Sequence, residues 1–176
     1  MLTFHSKVGT APSPSAMYGR LVLPYDQREK CRLRARLESG EEVAIFTVRG
    51  TVLRDGDLLG GGAADDPARV VIEVVAALEP TYAVHCDSEH ALVRCAYHLG
   101  NRHTQVQIGA GLLRIRVDPV LKEMVEGLGA RVVQEQACFE PEAGAYSGGG
   151  HSHGGDLLAP VPLRQRIHRP GDAGTA

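Results

Sequence analysis

The region from about residue 70 to about residue 137 changes its hydrophobic period several times, and this order of periods limits the folds that the chain can adopt. Its segments read in order as a strand, a helix, a hairpin, a helix and a strand: VVIEVVAA, SEHALVRCAYHLG, TQVQI with LLRIRV, PVLKEMVEGLG and RVVQEQA. A strand-helix-strand-strand-helix-strand order is typical of ferredoxin-like domains. We therefore expect two helices that cover one face of a four-stranded antiparallel sheet.

Residues at the expected helix boundaries support this order. A polar side chain of the pair Asp87–Ser88 can cap the N-terminus of the first helix, and Gly100 suits the left-handed position at its C-terminus. The pair Asp118–Pro119 opens the second helix, and Gly127 or Gly129 closes it.

The first 72 residues carry strand signals without a helical period. KCRLRARL alternates strictly between polar and apolar residues, ESGEE supplies a turn, and VAIFTV continues as a more buried strand, so we expect a β-hairpin. RGTVLRDGDLLGGG adds a further strand and a turn at Asp55–Gly56. The basic residues of the first strand share one face, which is either a surface for an acidic partner or the solvated side of the sheet; they are Lys30, Arg32, Arg34 and Arg36.

The last part of the chain begins near Ala145. YSGGGHSHGGD is rich in glycine, and LLAPVPLRQRIHRPGDAGTA has no helical or strand period, so we expect a flexible tail. His151 and His153 either bind a divalent metal weakly or belong to a solvated linker. The chain is thus expected to be an α+β protein in three parts: a small all-β domain (1–72), a ferredoxin-like domain (73–145) and a disordered tail (146–176).

Charge and hydropathy exclude two classes of partner. The 19 basic and 21 acidic side chains give a net charge of −2, so the chain lacks the basic field that nucleic acid or an anionic membrane would select. Apolar runs such as VVIEVVAAL are too short to span a bilayer, and the first residues do not resemble a secretory signal. We expect a cytoplasmic protein.

The four cysteines of the chain form no Cys-x-x-Cys pair and are expected to be reduced.

The stretch YHLGNRH holds two histidines, His98 and His103, at a spacing that one helix does not bring to a single face. Five residues turn an α-helix through about 500°, so the two imidazoles point in different directions. From the residues alone, His98 is either a packed or capping residue or a metal ligand, and a structural role is expected of His103. His98 lies at the edge of an apolar arc formed by Ala91, Leu92, Cys95, Ala96 and Leu99.

Several separated motifs together resemble one known family. HLGNRH follows a strand and a helix, PVLKEM lies downstream, ACFEPEAGAY leads into the histidine-bearing tail, and RGTVLRDGDLL stands in the N-terminal half. In this order they closely resemble the UreE family of urease accessory nickel metallochaperones, and the resemblance runs from about residue 20 to the tail.

The resemblance implies both a fold and a function. It implies an N-terminal β domain similar to the peptide-binding domains of Hsp40-type chaperones, and a ferredoxin-like domain that binds metal and forms a homodimer. It also implies that His98, at the dimer axis, binds Ni(II) for delivery to urease. The implied partners are the urease apoprotein and other urease accessory proteins, including a GTPase.

The coordination chemistry is consistent with that implication. A two-fold axis beside His98 would duplicate its imidazole, and His151 and His153 could complete the metal shell and then withdraw. Zn(II) and Cu(II) are expected to compete for such nitrogen ligands. Where many relatives carry further histidines, this chain has Arg114 and Arg116, and a protonated guanidinium cannot replace an imidazole. Extra metal sites are therefore not expected there.

Two other functions compete with nickel delivery. One is a metal-independent interaction scaffold for urease assembly. The other, ranked last, is a thiol hydrolase built on Cys95 and His98, for which the sequence shows no nucleophile elbow and no third, orienting residue. We therefore expect a protein that is not an enzyme.

Overall fold

The computed structural model describes residues 1–9, 17–62 and 70–143. The predicted tail of residues 146–176, with His151 and His153, lies outside the described residues. Within them the chain folds into two sheets, each with its own apolar core. None of the described helices has the length and hydropathy needed to cross a bilayer.

The first domain contains six strands and a one-turn helix: β1 (Leu2–Val8), β2 (Met17–Leu23), α1 (Tyr25–Arg28), β3 (Arg32–Arg36), β4 (Glu42–Phe46), β5 (Leu58–Gly62) and β6 (Val70–Ala76). The strands form one sheet in the order β2-β6-β5-β1-β4-β3. Two of its pairs, β1 with β4 and β2 with β6, are parallel, and the others are antiparallel.

Much of this domain follows the predicted patterns. The expected hairpin is β3 with β4, in which Arg36 pairs with Glu42, and the Asp-Gly turn has Gly56 at a φ of 77°. The three consecutive glycines at 60–62 include one that the packing requires. At Gly61 a Cβ atom would lie 2.1 Å from the carbonyl oxygen of Thr3, so no larger residue fits there. Neither β1 nor β2 is among the predicted strands, because both join distant strands through pairings that no short-range pattern reports.

The second domain contains four strands and two helices: β7 (Leu78–His85), α2 (Glu89–Asn101), β8 (Gln107–Gly109), β9 (Leu112–Arg116), α3 (Pro119–Gly127) and β10 (Arg131–Cys138). The strands form one sheet in the order β10-β7-β9-β8, and all its pairs are antiparallel. The element order and this sheet confirm the predicted ferredoxin-like arrangement. The buried side chains between helices and sheet include Val84, Cys95, Leu99, Leu113, Ile115 and Val125.

The predicted first strand of this domain is wrong. VVIEVVAA forms β6, which pairs with β2 and β5 in the first sheet, and the first strand of the second sheet is β7. One residue, Ala77, separates the two strands, and Pro80 inside β7 is unusual for a central strand. Pro80 is tolerated because β9 pairs with β7 only from Thr81 onward. The domain division expected after residue 72 falls inside β6.

Three of the four ends of α2 and α3 agree with the predicted caps. Ser88 accepts a hydrogen bond from the Ala91 amide, and Asp118 accepts from the amides of Val120 and Leu121. Gly129 follows α3 with a φ of 94°. The expectation for Gly100 is wrong, because α2 continues to Asn101.

The left-handed residue after α2 is His103 instead, with a φ of 53°. The amide of His103 donates to the carbonyl of Gly100 (2.9 Å), and that of Thr104 donates to the carbonyl of Leu99 (3.3 Å). These bonds satisfy carbonyls that the helix end would otherwise leave without a partner.

A buried arginine joins the two domains. Arg28, at the end of α1, is 0% exposed and donates to the carbonyls of Leu23 and Leu53 in the first domain (both 3.2 Å). The same guanidinium donates to the carbonyl of Phe139 (2.6 Å) and to the carboxylate of Glu140, which follow β10. The segment after β10 is therefore held against the first domain.

Candidate metal centre

His98 lies in the last turn of α2, where buried residues fix the helix against its sheet. Cys95 and Leu99, its neighbours along the helix, are both 0% exposed. His98 itself is half-buried, and its ring meets the ring of Tyr97 edge to face at a centroid distance of 5.4 Å. The predicted position at the edge of the apolar arc is confirmed, and the imidazole is carried by a rigid element.

The solvent face of α2 next to His98 carries two large apolar side chains. Val93 is 67% exposed and Tyr97 is 64% exposed. Residues four positions apart lie one above the other on a helix, so these two side chains form one patch. An apolar pair of this kind on a helix face is suited to contact with another protein surface.

His103 stands just beyond the same helix end, and its side chain is exposed. A structural role is predicted for His103, and its backbone is left-handed, with a φ of 53°. A histidine there carries a strain that glycine would avoid, and such strain in a non-glycine residue is frequent at functional sites. His103 is thus a second candidate ligand. Its spacing from His98 predicts only that the two imidazoles point in different directions, and no sequence pattern reports the left-handed backbone.

His103 borders an open cavity of about 490 Å³ at the edge of the second domain. On its other side the cavity is bounded by the end of β9 and the start of α3. The Oε1 atom of Gln105 is buried without a hydrogen-bond partner among the described residues, while its Nε2 donates to Glu29 (3.2 Å). The lining residues are His103, Thr104, Gln105, Arg116, Val117, Asp118 and Leu121.

The segment that leads into the tail passes beside this part of the molecule. The amide of Glu140 donates to the side chain of Gln107 (3.0 Å), and the amide of Glu142 donates to the carbonyl of Val106 (2.9 Å). Val106 lies three residues after His103. The last described residues before the tail are thus fixed to the loop that follows α2.

The two arginines of β9 lie where extra metal sites are not expected from the sequence. Arg114 forms an ion pair with Glu135 at 2.8 Å, so it has a structural partner, and Arg116 lines the cavity. Among the described residues, no group of three or more His, Cys, Asp or Glu side chains is arranged to hold a metal ion. His151 and His153 are outside that part of the chain.

The geometry opposes the thiol-hydrolase alternative. The side chain of Cys95 is 0% exposed, and burial, followed by a hydrogen bond with Cys86, raises the pKa of the Cys95 thiol to about 11. The thiol is therefore almost wholly protonated near neutral pH, and its burial keeps it out of reach of a substrate from solvent.

Comparison with known proteins gives two family matches that together span both domains. Residues 4–77 match the N-terminal domain of the UreE urease accessory protein, and residues 79–169 match its C-terminal domain. The first match ends at Ala77, the single residue that separates β6 from β7, and the second begins at Glu79 in β7.

Full-length relatives agree with these matches. The chain is 62% identical over 175 residues to the urease accessory protein UreE of Janthinobacterium sp. (strain Marseille), and 57% identical over 180 residues to that of Nitrosospira multiformis, with 98% of each chain covered in both cases. It is 51% identical over 148 residues to the protein of the same name from Cupriavidus necator, covering 84% of this chain and 74% of that one. The chain belongs to the UreE family of urease accessory proteins.

Proposed function

We propose that this protein is a cytoplasmic metallochaperone that binds Ni(II) and delivers it to urease during assembly of the urease active site. Its proposed partners are the urease apoprotein and other urease accessory proteins, including a GTPase. Membership of the UreE family supports the role in urease maturation. The observation that carries the metal-binding part is made at the C-terminal end of α2. His98 lies in the last turn of this helix and His103 just after it. Val106, in the loop that follows, accepts a hydrogen bond from Glu142, which leads toward the tail with His151 and His153.

We propose a homodimer whose two-fold axis lies beside this end of α2. A single imidazole is a weak site, but a two-fold axis duplicates it and supplies two nitrogen ligands from rigid helices. The exposed pair Val93 and Tyr97 supports the choice of this face, because burying both side chains against a second copy would remove apolar surface from water.

His98 is the proposed ligand on the rigid domain, and His103 is a second candidate. His98 is half-buried on a helix that is packed against its sheet, and its ring meets that of Tyr97 edge to face. His103 is exposed, so its imidazole is accessible to a metal shared with another subunit, and backbone strain of this kind is frequent at functional sites.

The tail histidines His151 and His153 are the proposed ligands that complete the shell and release it. His151 follows Ala143, the last described residue, by eight positions, so an extended chain reaches at most about 29 Å from that root. Ordering such a segment costs conformational entropy, which makes the ligand labile and suits transfer of the metal. Zn(II) and Cu(II) are the expected competitors for these nitrogen ligands.

Calorimetric nickel titration of the full chain, with the mass measured by light scattering, tests the proposal. We expect saturation of the tight site at one ion for every two chains. His98→Ala should remove that site and leave the dimer intact, whereas replacing His151 and His153 should weaken binding less, because the tail loses entropy when it binds. His90→Ala, an exposed histidine at the start of the same helix, is the matched control and should bind as the unmodified protein does.

The outcomes are distinguishable. Loss of the tight site in His103→Ala together with its retention in His98→Ala would assign the shared ligand to His103. One tight ion per chain that neither substitution affects would contradict a site at the dimer axis and would move the site to the tail.

A metal-independent scaffold remains a second candidate because of one surface on the first domain. Arg32 pairs across the strands with Phe46, and the Phe46 ring stacks on the His5 ring at a centroid distance of 5.8 Å. The side chains of these three residues are exposed. A cation beside an exposed aromatic ring suits an acidic partner segment that carries an apolar side chain. Normal urease activation in cells whose protein lacks His98, His103 and both tail histidines would favour this candidate.

A further inference from the structure

Two of the four cysteines, one just before α2 and one within it, lie against each other. Cys86 directly follows β7, Cys95 lies in the middle of α2, and their Sγ atoms are 3.8 Å apart. Both are free thiols in the structure, and Cys86 is the more exposed of the two. The other cysteines are in different surroundings: the Cys138 thiol donates to the carbonyl of Ala76 (3.2 Å), and Cys31 precedes β3.

We propose that Cys86 and Cys95 form an oxidisable dithiol that closes to an intrachain disulfide when it meets a small-molecule disulfide such as oxidised glutathione. In the first step the Cys86 thiolate attacks one sulfur of glutathione disulfide, which forms a mixed disulfide and releases one glutathione thiolate. In the second step the Cys95 thiolate attacks the Cys86 sulfur and releases the second glutathione. Two protein thiols are oxidised, one glutathione disulfide is reduced to two thiols, and the two protons pass to the glutathione thiolates.

The local structure allows this closure. The sulfurs must approach from 3.8 Å to about 2.05 Å, which requires rotation of at least one side chain. Cys86 stands between β7 and the capping residue Ser88, outside both regular elements, and its side chain is only partly buried. Cys95 is held in the core, and it therefore acts as the fixed partner that resolves the mixed disulfide.

The burial of Cys95 sets the speed of the second step. Burial, the largest cause of the raised pKa of the Cys95 thiol, persists in the mixed disulfide, so only a small fraction of Cys95 is thiolate at neutral pH. While the pH stays well below that pKa, each additional pH unit increases the thiolate fraction about tenfold. Closure should therefore accelerate about tenfold between pH 7 and pH 8, and further at pH 9. This inference does not depend on nickel binding.

Redox titration of the full chain tests the proposal. The reduced protein is incubated in glutathione buffers of increasing oxidised fraction, quenched in acid, alkylated and digested with trypsin. Cleavage after Arg69, Arg94 and Arg102 puts Cys86 in residues 70–94 and Cys95 in residues 95–102, so a disulfide between them joins two separate peptides. We expect this linked pair as the main oxidised product.

Variants separate the two steps. Cys95→Ala should stop the reaction at a stable Cys86–glutathione mixed disulfide, and Cys86→Ser should leave Cys95 unmodified because it is buried. The double variant Cys31→Ser/Cys138→Ser is the matched control and should close as the unmodified protein does. Accumulation of the mixed disulfide in the unmodified protein at pH 9, or linkage of Cys86 to any cysteine other than Cys95, would overturn the proposal.

Discussion

At the scale of single residues, His103 is the position where backbone strain and candidate function meet. It is the one non-glycine residue of the described ranges with a positive φ, at 53°. A left-handed conformation costs an L-residue on the order of 1 kcal/mol, and glycine avoids this cost. The imidazole is exposed and is therefore not needed for packing.

His103→Gly should accordingly raise the free energy of unfolding by up to about 1 kcal/mol, even if it removes a metal ligand. His103→Val should lower the free energy of unfolding, because a β-branched residue tolerates positive φ poorly. Urea denaturation of the metal-free protein measures both effects. A large loss of stability in His103→Gly would show that the imidazole makes a contact that the fold requires.

Cys95 gives a residue-scale prediction about pH. Its folded-state pKa is about 11, above the value of 9.0 for an unperturbed thiol, so the folded state holds this proton more tightly than the unfolded state does. The resulting stabilisation is fully present below pH 9 and is lost as the pH rises toward 11. Between these values the free energy of unfolding should fall more steeply in the unmodified protein than in Cys95→Ala. Parallel slopes in denaturation experiments, run under reducing conditions, would contradict the raised pKa.

At the scale of elements, the sequence predicts α2 well except for its end. The apolar arc and the Ser88 cap suffice to locate the helix, because both are local properties. The end depends on which residue supplies the left-handed turn, and Gly100 satisfies the sequence rule although the backbone there is helical. For the same reason His98 could be placed on the helix from sequence, whereas the exposure and strain of His103 could not.

Gly100→Ala tests the observed helix end by the sign of its effect. Gly100 is helical and a Cβ would meet nothing within 4 Å, so alanine should raise the free energy of unfolding by about 0.5–1 kcal/mol. Had Gly100 been the left-handed cap, alanine would be destabilising. Gly129→Ala, at a φ of 94°, is the control and should lower the stability by about 1 kcal/mol. Chemical denaturation of both variants provides the comparison.

The strands β6 and β7 are adjacent in sequence but belong to different sheets. Each has an apolar pattern, but the pattern alone does not say which sheet a strand joins, and one residue separates the two. The assignment depends on partners that lie far away along the chain, such as β2 for β6 and β10 for β7. Local periodicity therefore recovers the order of the ferredoxin-like unit but shifts its first strand.

At the scale of the whole molecule, the contacts around Arg28 and Glu140 fix one domain relative to the other. Glu140 accepts hydrogen bonds from Arg28, from Arg54 (2.9 Å) and from the amide of Asp55 (3.2 Å), all from the first domain. Glu140 itself follows the last strand of the second domain. No sequence pattern predicts this network, because it joins residues more than 80 positions apart.

The same network sets the position from which the tail departs, and this leads to a prediction for Glu140→Gln. Removing one charge leaves the fully buried Arg28 without its carboxylate, so the free energy of unfolding should fall by on the order of 3 kcal/mol. The control Glu42→Gln breaks the exposed pair with Arg36 and should cost about 1 kcal/mol or less.

Hydrogen exchange then shows whether the loss reaches the tail root. The amides of Glu140 and Glu142 donate to Gln107 and Val106, so in Glu140→Gln both should exchange faster, because the segment after β10 is no longer held against the first domain. The amides that pair β7 with β9 should keep their protection, since their hydrogen bonds lie within one sheet. Equal acceleration of both sets would mean that the substitution lowers global stability only. Selective acceleration at Glu140 and Glu142 would show that the interdomain contacts hold the root of the tail beside the end of α2.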